Sequence, residues 1–174
     1  NIHPSFLPNE RGAATYSWRI LNDEKFVAAT IHLIDKGIDT GPIIFQKKMK
    51  LQLQKPFPLD YDIMTSKVYK LLFKKFLKCF NSKGHLTTYP QKESLSSYLP
   101  RLYTEINGAI NFDWTNNEIE KFVRAFSVPY PGAFSFIRKN KISILNCFPE
   151  KSKINFHPFV SGRVNKIFPD GSVR

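Results

Sequence analysis

The pattern of apolar and polar positions predicts two adjacent strands in the first third of the chain. Residues 27–34 (VAATIHLI) are rich in apolar and β-branched side chains, which is typical of a buried strand. Residues 43–53 (IIFQKKMKLQL) begin apolar and then alternate, which predicts a strand that leaves the core for solvent. The loop DKGIDTGP between them contains two glycines and a proline, so we expect the strands to form a hairpin or to lie side by side.

Two segments have the spacing of amphipathic helices. The stronger pattern covers residues 60–80, where Val68 and Leu72 mark an apolar face and lysines mark another. Acidic residues in its first turn favour a helix start there, and the sequence NSKG is expected to end the helix. A shorter helix is predicted over residues 13–22. The shared face of this helix is formed by Ala14, Trp18 and Leu21.

The second half of the chain has weaker periodicity. Residues 82–110 are polar and irregular, which predicts a long connection. Residues 116–126 (NNEIEKFVRAF) predict a helix that is capped by Thr115 or Asn116 and ended by VPYPGA. The following segment alternates as in a β-hairpin, and its turn is expected at Lys139–Asn140.

Length and composition indicate a globular chain. With 174 residues, of which 42% are apolar, the chain can form one domain of ordinary size with a packed core. It contains no run of eighteen apolar residues, so we predict no membrane-spanning helix and a cytoplasmic location. Cys79 and Cys147 lie in apolar surroundings, and we expect buried free thiols in a reducing compartment; a disulfide is the alternative.

The net charge of +12 favours anionic partners, but the charge is spread along the chain. Nucleic acid, anionic lipid and phosphorylated small molecules all attract a basic protein. Because lysines predominate and no arginine-rich stripe is present, we interpret most of the charge as solvated surface. The sequence has no G-x-G-x-x-G motif and no P-loop, and no His/Cys cluster has metal-ligand spacing, so we predict no metal.

Asn1, His3 and Asp39 carry the strongest chemical signal. A carboxamide donates N–H groups, an imidazole exchanges a proton near neutral pH, and a carboxylate orients and charges that imidazole. These groups meet the needs of acyl transfer to an amine: an oxyanion donor, an acid/base group and an orienting partner. Because Asn1 and His3 are two positions apart, an extended backbone points both to the same side. The alternative is that the Asn-x-His-Pro and Asp-Thr-Gly segments form only local turns.

Five other side chains are interpreted as structural. His32 lies in an apolar strand, where a packed and hydrogen-bonded histidine is expected. Asp113 and Trp114 are expected to cap and pack the helix that follows them. Phe134 and Phe136 are expected in the core.

Two motifs together resemble a known family of enzymes. The segments NIHPSFLPNERGAA and GIDTGPII are similar to the N-x-H-P-S-x-L-P-x-x-R-G and D-x-G loops of formyltransferases that use 10-formyltetrahydrofolate. Asn1, His3 and Asp39 fall on the three catalytic positions of that family. The resemblance also implies that the same loops hold both ligands. Cofactor contacts are expected from Ser5, Leu7, Pro8 and Gly41, and substrate contacts from Arg11 and Gly12.

The resemblance implies formyl transfer from 10-formyltetrahydrofolate to a primary amine. Asn1 and protonated His3 would stabilise the tetrahedral oxyanion, while Asp39 would keep His3 charged and relay the proton of the amine. The segments PRLYTEINGAINFDW and PYPGA are similar to members that formylate nucleotide-linked amino sugars, so such a sugar is the expected acceptor. The alternatives are initiator tRNA as in methionyl-tRNA formyltransferases, hydrolysis of the formyl donor, and a module without chemistry.

The fold class implied by the resemblance is α/β. Residues 1–95 would form the C-terminal half of a Rossmann-like catalytic domain, residues 96–135 a linker with a helix, and residues 136–174 the start of a small OB-like β-barrel. In the last region, residues 161–174 (SGRVNKIFPDGSVR) predict a further strand and an Asp-Gly turn. Because about a hundred residues of Rossmann-like structure precede the Asn position in that family, we expect this chain to be an internal piece of a longer protein.

Overall fold

The computed structural model describes residues 1–150, 160–164 and 166–170. Within these residues the chain combines short strands with four α-helices. The strands are β1 (Ile2–His3), β2 (Arg11–Gly12), β3 (Phe26–His32), β4 (Ile43–Lys50), β5 (Tyr98–Leu99), β6 (Ala133–Ile137) and β7 (Asn140–Ile144). The helices are α1 (Thr15–Leu21), α2 (Pro58–Lys83), α3 (Thr104–Asn107) and α4 (Asn116–Ala125), and a 3₁₀ turn lies at Glu93–Leu95.

The largest sheet has the strand order β1-β3-β4 and is antiparallel. Its middle strand is the most buried element, because Val27, Ala28 and Ala29 expose no surface. β3 and β4 pair along their length, which confirms that the two predicted strands are neighbours. β4 ends at Lys50, three residues before the predicted end of the strand.

Helix α2 packs against this sheet. It begins at Pro58, before the predicted start, because the Asp60 carboxylate accepts the Phe57 N–H at 2.8 Å and closes the first turn. Val68 and Leu72 are buried on its inner face, as predicted. Each buried aliphatic side chain of this kind contributes about 1.5–3 kcal/mol to folding, so the helix holds the sheet mainly by apolar contact.

The prediction of an irregular connection over 82–110 is wrong in part. β5 pairs in parallel with β2, with Arg11 opposite Tyr98 and Gly12 opposite Leu99. The 3₁₀ turn precedes this short strand, and α3 follows it. Two-residue strands of this kind depend on a distant partner and not on a local hydrophobic period, so the sequence pattern did not reveal them.

Helix α1 is present, but its buried face differs from the predicted one. Ala14, Trp18 and Leu21 are only partly buried. The reason is a buried ion pair: the Arg19 guanidinium is fully buried, lies over the Phe26 ring, and donates from Nε to the Glu10 carboxylate at 3.1 Å. The fully or nearly fully buried side chains of α1 are Thr15, Ser17, Arg19 and Ile20.

Helix α4 is capped by Thr115, one of the two predicted residues. The Thr115 hydroxyl accepts the Glu118 N–H and the Glu118 carboxylate accepts the Thr115 N–H, which satisfies both backbone groups. Trp114 packs edge-on against Phe122 with ring centroids 5.0 Å apart, as expected for a packing residue. Asp113 does not cap the helix, because Thr115 occupies that position; the Asp113 N–H donates to Asn111.

The predicted hairpin forms from β6 and β7, but its turn lies one residue earlier than expected. Ile137 pairs with Asn140, so the turn residues are Arg138 and Lys139. Arg138 has a positive φ of 57°, which the reversal of the chain requires. Phe134 is buried as predicted, whereas Phe136 is 59% exposed and only its edge meets the Phe134 ring.

The remaining expectations concern the cysteines and the C-terminal segment. Cys79 and Cys147 are free, but both are partly exposed and not buried. The strand and turn predicted over 161–174 lie partly outside the described residues. Among the helices of the described ranges, none has both the length and the apolar character needed to cross a bilayer.

The buried ion pair of α1 gives a stability prediction. We expect Glu10→Gln to lower the free energy of unfolding by about 3 kcal/mol, because Arg19 is then buried without a charged partner. Urea unfolding of the whole protein, followed by tryptophan fluorescence, measures the change. The double variant Glu10→Gln/Arg19→Met should recover much of the loss, since it removes the buried charge as well. A Glu10→Gln variant within about 0.5 kcal/mol of the wild type would contradict this assignment.

Candidate active site

The pairing of β1 with β3 places four polar side chains on one face of the sheet. His3 lies opposite Thr30 in the register. Asn1 and His32 exchange two backbone hydrogen bonds, with the amino nitrogen of Asn1 2.9 Å from the His32 carbonyl and the His32 nitrogen 3.0 Å from the Asn1 carbonyl. Because residues two apart on a strand share a face, Asn1, His3, Thr30 and His32 project to the same side.

Asp39 reaches this face from the loop between β3 and β4. Its φ is 54°, a left-handed conformation that turns the carboxylate back towards β1. Oδ2 lies 3.3 Å from His3 Nδ1, and Oδ1 lies 3.4 Å from Asn1 Nδ2. The structure thus brings together the three residues that the sequence analysis singled out, although 38 positions separate the first from the last.

Both ring nitrogens of His3 face oxygen atoms that accept hydrogen bonds. Nε2 lies 2.8 Å from the Glu10 carbonyl oxygen, which can only accept, so Nε2 carries a hydrogen. Nδ1 lies 3.3 Å from the Asp39 carboxylate, which is also an acceptor. His3 is only 5% exposed, so both contacts are largely shielded from water.

The predicted substrate-binding pair makes contacts that support Asp39. The Gly12 N–H donates to Asp39 Oδ2 at 2.9 Å and so provides a second donor to that oxygen. The Arg11 guanidinium is buried and donates to Gln91 and to both carboxylate oxygens of Glu93, at 3.0–3.1 Å for Glu93. These hydrogen bonds hold the pKa of Glu93 below its usual range. A role of Arg11 and Gly12 in binding substrate stays a prediction.

Gln91 is a supporting residue that the sequence analysis missed. Its Nε2 donates to the backbone carbonyls of Asp39 and Gly41, at 2.7 and 2.8 Å, and its Oε1 accepts from Arg11. It therefore fixes the Asp39 loop to the Arg11 segment. A polar residue in an irregular stretch gives no sequence signal for such a role, because its partners are backbone atoms far away along the chain.

The four predicted cofactor-binding residues lie in the two loops next to the site. Ser5 is fully buried and its hydroxyl donates to the Asn9 carbonyl. Leu7 is 1% exposed and precedes Pro8 across a cis peptide bond. Gly41 is buried where a β-carbon would come within 1.8 Å of the Leu33 carbonyl, so only glycine fits. These contacts shape the loops, and contact of these residues with a cofactor stays a prediction.

His32 also lies in the site, although its sequence context indicated only a packed residue. It is buried and hydrogen-bonded, as predicted, with Nδ1 2.7 Å from the Leu33 carbonyl. Its other nitrogen, Nε2, lies 3.3 Å from Asn1 Nδ2 and 3.6 Å from Asp39 Oδ1. Its position two residues after Thr30, on a strand next to β1, could have indicated this place in the site. That inference requires the pairing register of β1 and β3, which the sequence does not give.

One cavity borders this cluster, and a second lies beside the two residues that follow Gly12. The smaller cavity, of about 250 Å³, is lined in part by Ala13 and Ala14, the two residues that follow Gly12. The other, of about 490 Å³, borders Asn1 and His32 and is mostly apolar. The further lining of the smaller cavity is Ser17, Arg101, Leu102, Tyr103, Thr104, Phe126 and Tyr130. The further lining of the larger cavity is Ile2, Ile31, Leu33, Ile34, Ile44, Phe73, Phe76 and Leu86.

The arrangement supplies positive charge and N–H donors around one carboxylate. Among the described residues, no group of three or more His, Cys, Asp or Glu side chains is placed to hold a metal ion. An amide donor at Asn1 and a charged imidazole at His3 can stabilise an oxyanion, and Asp39 can hold the imidazole in its charged form. This combination suits attack of an amine on a carbonyl carbon.

Two family models match the chain. The formyl transferase model matches residues 1–55, which contain both motifs, and the model for the formyl transferase C-terminal domain matches residues 103–173. Together the matched segments cover more than half of the chain. The chain is also 33% identical to a methionyl-tRNA formyltransferase of Ruminiclostridium cellulolyticum over 144 residues, which are 83% of this chain and 45% of the relative. It spans about half the length of the curated methionyl-tRNA formyltransferases that it matches.

Two solved structures show the same fold. The sugar 3N-formyl transferase WlaRD, solved in the presence of dTDP and 5-N-formyl-THF, is 28% identical with a TM-score of 0.60, and the match covers 84% of this chain and 61% of that one. The N-formyltransferase of Helicobacter canadensis, solved with folinic acid and dTDP-3-aminofucose, is 27% identical with a TM-score of 0.61, over 84% and 62% of the two chains.

These matches confirm the predicted fold class, which is α/β with part of a Rossmann-like domain followed by part of a small C-terminal domain. They agree with the two motifs, which lie inside the first matched segment. Motifs, fold and site geometry therefore lead to one assignment. The chain belongs to the formyltransferase family.

Proposed function

We propose that the whole protein transfers the formyl group of 10-formyltetrahydrofolate to the primary amine of a nucleotide-linked amino sugar. The observation that carries this proposal is the position of the Asp39 carboxylate, within 3.4 Å of both Asn1 and His3. The match to formyltransferases identifies the group that such a site would transfer. The domain division proposed for it is residues 1–95, 96–135 and 136–174.

The proposed reaction forms one bond to the formyl carbon and breaks one. The nitrogen of the acceptor amine bonds to that carbon, the bond from the carbon to N10 of the folate breaks, and a proton of the amine ends on N10. Asn1 donates an N–H to the oxygen that becomes negative, and the charged His3 stabilises the same charge. Asp39 pairs with His3 and relays the proton from the amine to N10 of the folate.

The donor fits the larger of the two cavities. This cavity is apolar along most of its wall and reaches polar atoms only at Asn1 and His32. A flat ring system can lie against such a wall while its formyl group meets the polar end. The two solved relatives that hold 5-N-formyl-THF and folinic acid support a folate donor for this chain. Ser5, Leu7, Pro8 and Gly41 would act by shaping the loops beside it.

The acceptor fits the smaller cavity, which begins directly after Gly12. Its volume of about 250 Å³ lies just below the range of about 300–1,000 Å³ typical of small-molecule sites, so it suits a single sugar ring. The Arg101 guanidinium lies 5.8 Å from the Tyr103 ring centre and offers positive charge to a phosphate. The relatives solved with dTDP and dTDP-3-aminofucose support this class of acceptor.

Initiator tRNA is the second candidate acceptor. The net charge of +12 favours a polyanion, and the 33% identical relative is a methionyl-tRNA formyltransferase. Binding of tRNA depends on counterion release and is therefore steeply weakened by salt. The cavity favours the sugar, because the positive charge at its wall comes from one arginine and not from an extended basic face. Hydrolysis of the donor, and a protein without activity, are the remaining alternatives.

The first prediction tests the proposed triad in the whole protein. We expect Asp39→Asn and His3→Ala each to lower kcat of formyl transfer by about 10²–10⁴-fold, because each removes the charged pair that stabilises the oxyanion. Steady-state assays with 10-formyltetrahydrofolate measure the loss. The matched control is Asp35→Asn, since Asp35 lies in the same loop but is exposed and bonds only to Gly37 and Thr40 among the contacts described. Normal turnover in either triad variant would refute the assignment.

The second prediction separates the acceptors. We expect label from formyl-labelled folate to pass to a dTDP-linked amino sugar and not to charged initiator tRNA when both are offered to the whole protein. Transfer only to tRNA, with a rate that falls steeply between 50 and 200 mM salt, would establish the second candidate instead. Release of free formate without either product would identify a hydrolase.

A third prediction concerns the cavity next to Gly12. Arg101→Ala should raise KM for the nucleotide-linked sugar by about 10–100-fold, because a charge-assisted contact to phosphate is worth about 1.5–3 kcal/mol. The KM for 10-formyltetrahydrofolate should not change. Lys139→Ala is the control, since Lys139 is an exposed cation in the β6–β7 turn. An equal change of KM in both variants would show that only net charge matters and that Arg101 does not bind the acceptor.

A further inference from the structure

We infer that His32 is a positioning residue that fixes the Asn1 carboxamide and leaves one amide hydrogen free for the reacting carbonyl. The inference rests on the proposed formyl transfer, because it assigns the hydrogen that Asn1 would donate in that reaction. His32 lies outside both sequence motifs, and its contact with Asn1 follows from the strand register.

The His32 ring has one defined hydrogen. Nδ1 lies 2.7 Å from the Leu33 carbonyl oxygen, which only accepts, so the hydrogen of the neutral ring sits on Nδ1. The side chain is 3% exposed, and burial lowers the pKa of His32 below its ordinary value. At neutral pH, Nε2 therefore keeps its lone pair and acts as an acceptor.

This acceptor decides which way the Asn1 carboxamide faces. Its side-chain nitrogen lies 3.3 Å from His32 Nε2 and 3.4 Å from Asp39 Oδ1. Both neighbours present lone pairs, so the Asn1 oxygen in the same place would be repelled by both. The Asp39 carboxylate alone attracts the amide nitrogen, and His32 adds a second acceptor on the same side.

The three atoms lie close enough for one amide hydrogen to serve both acceptors. The distance from His32 Nε2 to Asp39 Oδ1 is 3.6 Å, so the two acceptors and Asn1 Nδ2 form a nearly equilateral triangle. Seen from Nδ2, the acceptors are therefore about 60° apart, whereas the two N–H bonds of a planar amide diverge by about 120°. In the inferred arrangement, one hydrogen lies between His32 and Asp39 and the second points away from both.

The second hydrogen is the one available to an oxyanion. An amide that is held on one side loses little rotational freedom when it donates on the other, which is the physical meaning of preorganisation. Without His32, the amide is held only by the 3.4 Å contact to Asp39 and can turn both hydrogens or its oxygen towards the substrate. We therefore expect loss of His32 to affect the chemical step more than substrate binding.

The test uses two substitutions of His32 in the whole protein. A glutamine at this position can place its carbonyl oxygen near the site of Nε2 and retain an acceptor, whereas a leucine of similar size cannot. With 10-formyltetrahydrofolate and dTDP-3-aminofucose, His32→Leu should lower kcat by about 10–100-fold, with KM values within about twofold of the wild type. His32→Gln should retain kcat within about threefold. Thermal unfolding of both variants checks that they fold.

A double-mutant cycle with Asn1→Ala shows whether His32 acts through Asn1. If it does, His32→Leu should cause no further loss of kcat once Asn1 is removed. The inference would be overturned if the kcat losses of the two single variants multiply in the double variant. It would also be overturned if His32→Leu leaves kcat unchanged or changes only KM. A limb of the kcat–pH profile that disappears in His32→Gln would also overturn it, because it would make His32 an acid or base.

A spectroscopic measurement decides the inference even if the wild type shows no formyl transfer, which would refute only the proposed function. Nitrogen NMR of the labelled whole protein should show His32 neutral with its hydrogen on Nδ1 at pH 7. The two side-chain NH₂ signals of Asn1 should be widely separated in the wild type and in His32→Gln, and should move together in His32→Leu. A protonated His32 ring, or Asn1 signals that are the same in all three proteins, would refute the positioning role.

Discussion

The Asp39 carboxylate is the group on which the rest of the site depends. Its side chain is only 11% exposed, and a carboxylate removed from water costs several kcal/mol unless charged or polar partners surround it. The partners are His3 on β1, Asn1 directly before that strand, and the Gly12 N–H on β2, at 2.9–3.4 Å. Three separate chain segments must therefore be in place before this charge can be buried, so the site and the local fold form together.

The layer around the carboxylate explains how these segments are held. Gln91 bonds to the Asp39 backbone, and the Glu10 carbonyl takes the outer hydrogen of His3. The side chain of Glu10 is in turn paired with fully buried Arg19, which ties the histidine to the core of α1. Because the hydrogen bonds of such a network depend on one another, a change at Arg19 or Glu10 is expected to affect His3 and Asp39 as well.

The same catalytic geometry is compatible with more than one acceptor. Stabilisation of an oxyanion requires donors near the reacting carbonyl and is independent of what carries the amine. In the proposed reaction the acceptor is selected outside the triad, by the cavity next to Gly12 and by the charge around it. Such a separation agrees with the match of one chain to a sugar formyl transferase and to a methionyl-tRNA formyltransferase.

The sequence by itself determined the catalytic candidates and the regular elements. Asn1, His3 and Asp39 were readable because their chemistry is rare in that combination and their motifs are specific. Helix α2 was readable from its apolar period, α4 from its cap and the Pro-Gly segment that ends it, and the β3–β4 pair from an apolar run followed by an alternating one. Only the tertiary structure decided the roles of His32 and Gln91. A hydrogen bond across strands or to a distant backbone carbonyl depends on strand register and loop position. Neither of these produces a hydrophobic periodicity that can be recognised in the sequence.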